Sequence, residues 1–169
     1  MWNRKSSPAG NMSLGGVLAA VSIVIMGLGG MITIATYVCP VTVMLVEQIV
    51  LKLCGRKIAW AWYGAVALLS LLMCPDKEAA FVFLFLGYYP ILKPRMDRSR
   101  LPWLRKGLFF NVSILVLYWL LLRVMGMDAL QEEFQEMSMV LVIVLLLLGN
   151  LTFFMLDSIL GRKLRRRKR

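Results

Sequence analysis

The sequence has no histidine and only three cysteines among its 169 residues. Histidine is the commonest metal ligand and the commonest general base near neutral pH, so two frequent routes to catalysis are missing. The cysteines lack the spacing of a zinc site, and the sequence has neither a phosphate-binding glycine loop nor a nucleophile elbow. We therefore expect that the chain is not an enzyme and that it has no metal site and no cofactor.

Acidic residues are also scarce. The sequence has nine Asp and Glu residues and 20 Lys and Arg residues, which gives a formal net charge of +11. In a soluble protein this balance would indicate nucleic-acid binding. Here 60% of the residues are hydrophobic, more than is usual for a soluble domain, and the basic residues lie between apolar runs. Membrane topology and anionic lipid headgroups explain them, so we expect a lipid bilayer as partner and no nucleic acid.

Charge alternates from one segment between apolar runs to the next. The basic segments are 4–5, 52–57, 93–106 and 162–169, and the neutral or acidic segments between them are 37–40, 76–78 and 128–136. Short loops rich in Lys and Arg stay on the cytoplasmic side of a membrane. The alternation predicts an all-α polytopic bundle of six transmembrane helices in the cell membrane, with both termini in the cytoplasm.

Apolar runs near the length of a bilayer crossing, roughly 20 residues, fill most of the chain. The predicted helices are 13–35, 40–54, 58–73, 79–91, 104–125 and 137–160. Residues 1–12 are then a cytoplasmic N-terminal segment, 13–160 the transmembrane domain and 161–169 a basic cytoplasmic tail. The fourth helix ends in Gly87-Tyr88-Tyr89-Pro90, which predicts a helix break. Lipid offers no partners to free backbone groups, so a break must be lined by protein or water.

Glu47 is the clearest polar residue inside a predicted crossing, because apolar residues flank it on both sides. Ionisable groups in a membrane are costly and usually functional. Two interpretations remain open. Either Glu47 lies near the inner interface and pairs with a cytoplasmic cation such as Lys52, or it is a buried carboxylate of a substrate or coupling site.

Arg123 lies at the predicted outer end of the fifth helix, against the usual inside bias of basic residues. Either it pairs with an outer acid, or it captures an anionic ligand. Charges of both signs meet at this level of an apolar bundle, and the loop over 127–136 is long enough to act as a lid. We therefore predict that a ligand binds near Arg123, Asp76, Lys77 and Glu78, with Glu47 as the next candidate.

Small residues recur four apart in the first and third predicted helices. Such spacing places them on one stripe, where another backbone can approach closely. The stripe serves either ordinary packing within the bundle or docking of another membrane subunit. The residues are Gly15, Gly16, Ala19, Ala20, Ala61 and Ala65.

Cys39 and Cys74 both fall near predicted outer helix ends, whereas Cys54 falls near an inner end. A disulfide bridge between Cys39 and Cys74 is therefore geometrically conceivable. The alternative is that all three cysteines act as small apolar fillers.

The chain resembles the substrate-binding S components of energy-coupling factor vitamin transporters. The likeness covers its length, helix number, topology and first helix, where Gly15-x-x-x-Ala19 and Gly16-x-x-x-Ala20 are similar to the small-residue motif of that family. In the family, this motif docks on a transmembrane coupling subunit, and the ligand pocket opens outward. The resemblance implies a membrane subunit that binds a vitamin-like small molecule for uptake, working with a coupling subunit and separate ATPases. The alternative is a membrane scaffold or assembly partner without a ligand.

A second resemblance covers residues 76–80 and 87–93. These segments look like a stretch of uncharacterised small membrane proteins of Gram-positive bacteria. That likeness implies no particular chemistry.

Overall fold

A computed structural model describes residues 8–28, 35–123 and 139–165, and these residues form helices without any strand. The helices are α1 (Pro8–Gly27), α2 (Ala35–Leu53), α3 (Arg56–Met73), α4 (Lys77–Leu86), α5 (Tyr89–Met96), α6 (Pro102–Arg123) and α7 (Met139–Arg165). The all-α prediction is confirmed. Within the described ranges, α1, α2, α6 and α7 are long and apolar enough to cross a membrane, which supports the assignment to membrane proteins.

The chain divides into two compact units, residues 1–95 and residues 96–169. In the first unit, three contacts show that α1 and α3 run parallel. The Cys54 thiol before α3 donates to the Asn11 carbonyl near the start of α1, at 3.3 Å. Gly15 lies against Ile58. At the far ends, the Cys74 thiol donates to the Met26 carbonyl at 2.9 Å.

Two side-chain bonds set the direction of α4. The Thr36 hydroxyl donates to Asp76 at 2.7 Å, and the Tyr37 hydroxyl donates to Glu78, also at 2.7 Å. Thr36 and Tyr37 open α2, whereas Asp76 and Glu78 open α4, so these two helices start at the same end and run parallel. Since α2 and α3 are joined by a short turn at Gly55, where φ is +86°, the four helices alternate in direction along the chain.

The boundary between the first two predicted helices is wrong. We predicted one helix over 13–35 and a loop at 37–40, but α1 ends at Gly27 and α2 already begins at Ala35; residues 29–34 lie outside the described ranges. α1 also starts earlier than predicted, with Pro8 in the first helical position that its fixed φ favours. Pro40 lies inside α2 and is buried, so the carbonyl of Thr36, four residues earlier, loses the amide partner that another residue would supply.

The predicted fourth helix is present as two pieces. α4 ends at Leu86, Gly87 and Tyr88 form a turn, and α5 resumes at Tyr89. The break predicted at Gly87 therefore exists. The predicted loop over 93–106 is too long, since α5 continues through Pro94 to Met96 and α6 begins at Pro102.

The second unit is an antiparallel pair of helices. The amides of Asn111 in α6 and Asn150 in α7 bond reciprocally, at 3.1 and 3.0 Å. One face of Phe110 stacks on Phe153 with 4.9 Å between ring centroids. Only 11% of the apolar span of α7 is buried, against 39% for α2. α7 therefore presents a broad apolar surface of the kind that lipid covers, whereas α2 is an interior helix of its unit.

Candidate functional site

Glu47 is completely buried in α2, at 0% exposure. Neither carboxylate oxygen has a hydrogen-bond partner in the described part of the chain, and Glu47 forms no ion pair there with Lys52. Three other buried polar atoms also lack partners, the Ser22 and Ser70 hydroxyls and the Trp62 indole N–H. Among these groups only the carboxylate can carry a charge, and an unpaired charge in a bundle interior is by far the most costly.

Glu47 is level with the break between α4 and α5. α2 and α4 run parallel from the pairs at Thr36 with Asp76 and at Tyr37 with Glu78. Glu47 follows Thr36 by eleven residues, and Gly87 follows Asp76 by the same number. At about 1.5 Å of rise per residue, both positions lie roughly 16 Å along their helices. The unpaired carboxylate and the interrupted backbone thus occupy one layer of the first unit.

α3 contributes aromatic side chains to the same layer. The turn at Gly55 joins α2 to α3, so Tyr63 is about as far beyond the turn as Glu47 is before it. Tyr63 therefore lies at about the level of Glu47 on the neighbouring helix. Its ring is 6.0 Å from that of Trp60 and 5.7 Å from that of Tyr88, centroid to centroid, and Trp60 stacks on Tyr88 at 6.3 Å. We call Trp60, Tyr63 and Tyr88 the aromatic cluster.

The last turn of α4, before the break, lies at this level. The last carbonyls of a helix have no intrahelical donor and carry partial negative charge. The Tyr63 hydroxyl donates to the Leu84 carbonyl, and the Gly87 amide donates to the Phe83 carbonyl at 2.7 Å. Gly87 permits this turn because a Cβ there would overlap the Phe83 carbonyl oxygen. The layer therefore combines a carboxylate, aromatic rings and a helix C-terminus, all of which favour a cation.

The predicted outer charges have partners within the first unit. Asp76 caps α4, accepting from the Ala79 amide at 3.1 Å as well as from Thr36. The Lys77 ammonium donates to the Leu71 and Cys74 carbonyls at the end of α3, at 2.9 and 3.0 Å. Together with Glu78, which accepts from Tyr37, these side chains tie the starts of α2 and α4 to the end of α3.

Arg123 is the last residue of α6 and is exposed. It belongs to the second unit, whereas Asp76, Lys77 and Glu78 belong to the first. The acids of 127–136, which we considered as partners of Arg123, lie outside the described residues. Arg123 therefore remains, with Asp76, Lys77 and Glu78, a predicted ligand contact.

The small residues of α1 form two ridges, one of Gly15 and Ala19 and the other of Gly16 and Ala20. Gly15 is buried and faces α3, where an added Cβ would lie 3.7 Å from Ile58, and Ala19 is half-buried. Gly16 and Ala20 are exposed, and nothing lies within 4 Å of a Cβ at Gly16. Ordinary packing accounts for the first ridge and leaves the second without an interior role.

The α3 candidates, Ala61 and Ala65, are exposed as well. Close packing of α3 uses other small side chains, Ala59 at 0% and Ala67 at 2% exposure. The cysteines are free thiols, and Cys39 and Cys74 are buried without a bridge between them.

Sequence reasoning missed a buried ion cluster in the second unit. Lys106, assigned to a cytoplasmic loop, lies in α6 with its side chain 9% exposed, and it pairs with Asp97 and with Asp157 of α7, the latter at 2.8 Å. Asp157, an acid in the last crossing, was the available signal. Trp60 and Tyr63 are three apart and share a face of α3, but the sequence gives no link between them and Tyr88, 25 residues later in the chain.

Within the described ranges, no three acidic or cysteine side chains come together in a way that could hold a metal ion. Comparisons with protein-family models, with curated proteins and with solved structures found no match to this chain.

Proposed function

We propose that this protein is an integral membrane subunit that binds a small molecule for uptake and works with a separate coupling subunit and ATPases. The observation that carries the proposal is Glu47, a fully buried carboxylate that has no hydrogen-bond partner among the described residues and lies level with an interrupted helix. An ionisable residue inside a membrane is a candidate functional group, since its cost needs compensation. Interrupted helices in transporters expose backbone carbonyls and helix ends at the substrate or ion site.

The proposal includes six crossings of the cell membrane with both termini in the cytoplasm. Each of the six predicted helices has a counterpart, with α4 and α5 together forming the fourth. α3 and the α4–α5 pair are less apolar or shorter than a lone crossing requires. Burial against α1 and α2 supports them, because protein replaces lipid around the short spans.

The exposed ridge of Gly16 and Ala20 supports a helical partner. Small residues four apart let a second helix approach closely in lipid. Both residues are exposed, and a Cβ at Gly16 would have no described atom within 4 Å. In the proposed system, the coupling subunit would pack on this face of α1.

Native mass spectrometry of protein purified from its own membranes tests ligand binding. We expect a co-purifying small molecule in the wild type, and we expect Glu47→Gln to lose it. Asp97→Asn is the matched control, since it removes one acid from the other unit and leaves Lys106 with Asp157. A wild-type protein that carries no small molecule would contradict the binding role.

Co-purification with membrane partners tests docking. Gly16→Leu should remove a coupling subunit and its ATPases from the complex while the thermal unfolding midpoint stays unchanged. Val17→Leu is the control, because Val17 is also exposed on α1 but already carries a bulky side chain. A complex that survives Gly16→Leu would refute docking through this ridge.

An assembly partner without a ligand is the second candidate, and the exposed ridge of α1 also favours it. The two candidates differ in the first experiment. A protein that retains a helical partner but no small molecule, whether or not Glu47 is replaced, would favour the scaffold.

A further inference from the structure

We infer that the ligand of the Glu47 layer is a small organic cation carrying an ammonium group; the inference rests on the proposed small-molecule binding and names its substrate class. The carboxylate is the first support. Glu47 presents two oxygens that have no partner in the described ranges, at 0% exposure. Because a buried carboxylate is destabilised when it is charged and alone, a bound cation gains a strong, charge-assisted contact there.

The aromatic cluster is the second and independent support. A cation is attracted to the faces of Trp and Tyr rings within about 6 Å of their centroids, and aromatic cages recognise quaternary ammonium groups in this way. The centroids of Trp60, Tyr63 and Tyr88 lie 5.7 to 6.3 Å apart, with Trp60 stacked on Tyr88 and Tyr63 edge-on to both. The rings therefore pack against one another, and a cation would bind on the faces that this packing leaves open. Tyr63 and Glu47 are each eight residues from the turn at Gly55, on consecutive antiparallel helices, so the cluster borders the level of the carboxylate.

The C-terminus of α4 is a third support. Its last turn ends at Leu86, level with Glu47, and helix C-termini stabilise positive charge. A bare Na⁺ would also be attracted by a carboxylate and carbonyls. Three clustered aromatic rings, however, offer an alkylammonium group apolar contact that an inorganic ion cannot use, so the rings favour the organic cation.

The exposure of the rings indicates the route to the carboxylate. Trp60 is 39% exposed, Tyr63 and Tyr88 are half-buried, and Glu47 is fully buried. Tyr88 lies in the turn between α4 and α5. The cation would reach Glu47 past these partly exposed rings.

Calorimetric titration of the full chain in lipid nanodiscs tests the inference. The probes are tetramethylammonium and benzylammonium, with benzyl alcohol as the neutral analogue and sodium chloride as the inorganic cation. We expect an ammonium probe to bind at least tenfold more tightly than benzyl alcohol. Glu47→Gln should weaken ammonium binding at least tenfold, and Trp60→Leu should weaken it several-fold. Asp97→Asn should leave it unchanged.

Three results would overturn the inference, and they are distinguishable. If the native small molecule is present but benzyl alcohol binds as tightly as benzylammonium, the cation class is wrong and the proposed function stands. If sodium alone binds and Glu47→Gln abolishes it, the site holds an inorganic ion only. If no native molecule and no probe binds, the inference and the proposed binding role fail together. Thermal unfolding midpoints confirm that each variant is folded.

Discussion

At the scale of single residues, charged side chains near helix ends act as ties between helices. Asp76 accepts one hydrogen bond from the Ala79 amide of its own helix and one from Thr36 of α2. An N-cap of this type stabilises a helix by about 1 kcal/mol. The charges that first indicated a ligand site near Asp76 therefore already have a physical reason to be there. Glu47 accepts no hydrogen bond from any residue that the structure describes, which makes it the stronger candidate.

The ion pair between Lys106 and Asp157 can be tested by substitution. Lys106→Met leaves Asp157, with its side chain only 15% exposed, without its cation, so we expect a loss of up to about 3 kcal/mol in the free energy of unfolding. Denaturant titration in detergent measures it. Arg105→Met, at the exposed neighbouring position, should change stability by less than about 1 kcal/mol. Equal effects of the two substitutions would show that the pair with Asp157 adds no stability.

At the scale of helices, the break between α4 and α5 depends on one glycine. Gly87 allows α4 to end with its amide bonded to the Phe83 carbonyl, and its missing Cβ leaves room for that carbonyl and for the Phe83 ring. The turn then places Tyr88 beside Trp60 and Tyr63. The position of the aromatic cluster relative to Glu47 thus follows from how α4 ends.

Substitution at Gly87 tests this dependence. Gly87→Ala should destabilise the first unit by about 1–3 kcal/mol, because the new methyl group overlaps a backbone oxygen that cannot move freely. Gly64→Ala is the control, since Gly64 lies inside α3 with nothing within 4 Å of an added Cβ. The control should be neutral or more stable by up to about 1 kcal/mol, the usual helix preference for alanine. Thermal unfolding compares them, and equal midpoints would contradict the steric role.

At the scale of the whole molecule, the topology prediction concerns the direction in which each helix crosses the membrane. Within the first unit, α1 and α3 run parallel and α2 and α4 run parallel. This alternation agrees with the order of basic and neutral segments in the sequence. Once the side of the membrane is known for one loop of this unit, the alternation fixes the side for the others.

Reporter fusions test the topology. A reporter after Arg169 should be active as a cytoplasmic enzyme, and a reporter inserted at Glu133 should be active only as an exported one, because Lys- and Arg-rich loops remain inside. A reporter inserted at Gly55 should also be active as a cytoplasmic enzyme, since Lys52 and Arg56 flank the turn between α2 and α3. An exported tail would refute six crossings with both termini inside.

The sequence alone determined the features that depend on local composition. Long apolar runs specify helices and membrane solvation, because every backbone group in lipid must bond within its own helix. The Gly87-Tyr88-Tyr89-Pro90 segment predicted the break in the fourth helix. The apolar residues around Glu47 indicated an ionisable group inside a crossing. These conclusions need no knowledge of which helix packs on which.

Only the tertiary structure decided what each polar group contacts. It gave Asp76, Lys77 and Glu78 protein partners, left Glu47 without a hydrogen bond in the described ranges, and separated the buried Gly15 from the exposed Gly16. It also joined Trp60 and Tyr63 to Tyr88, some 25 residues later in the chain. Such contacts depend on the rotation and relative level of packed helices, and a pattern along one chain does not encode either quantity locally.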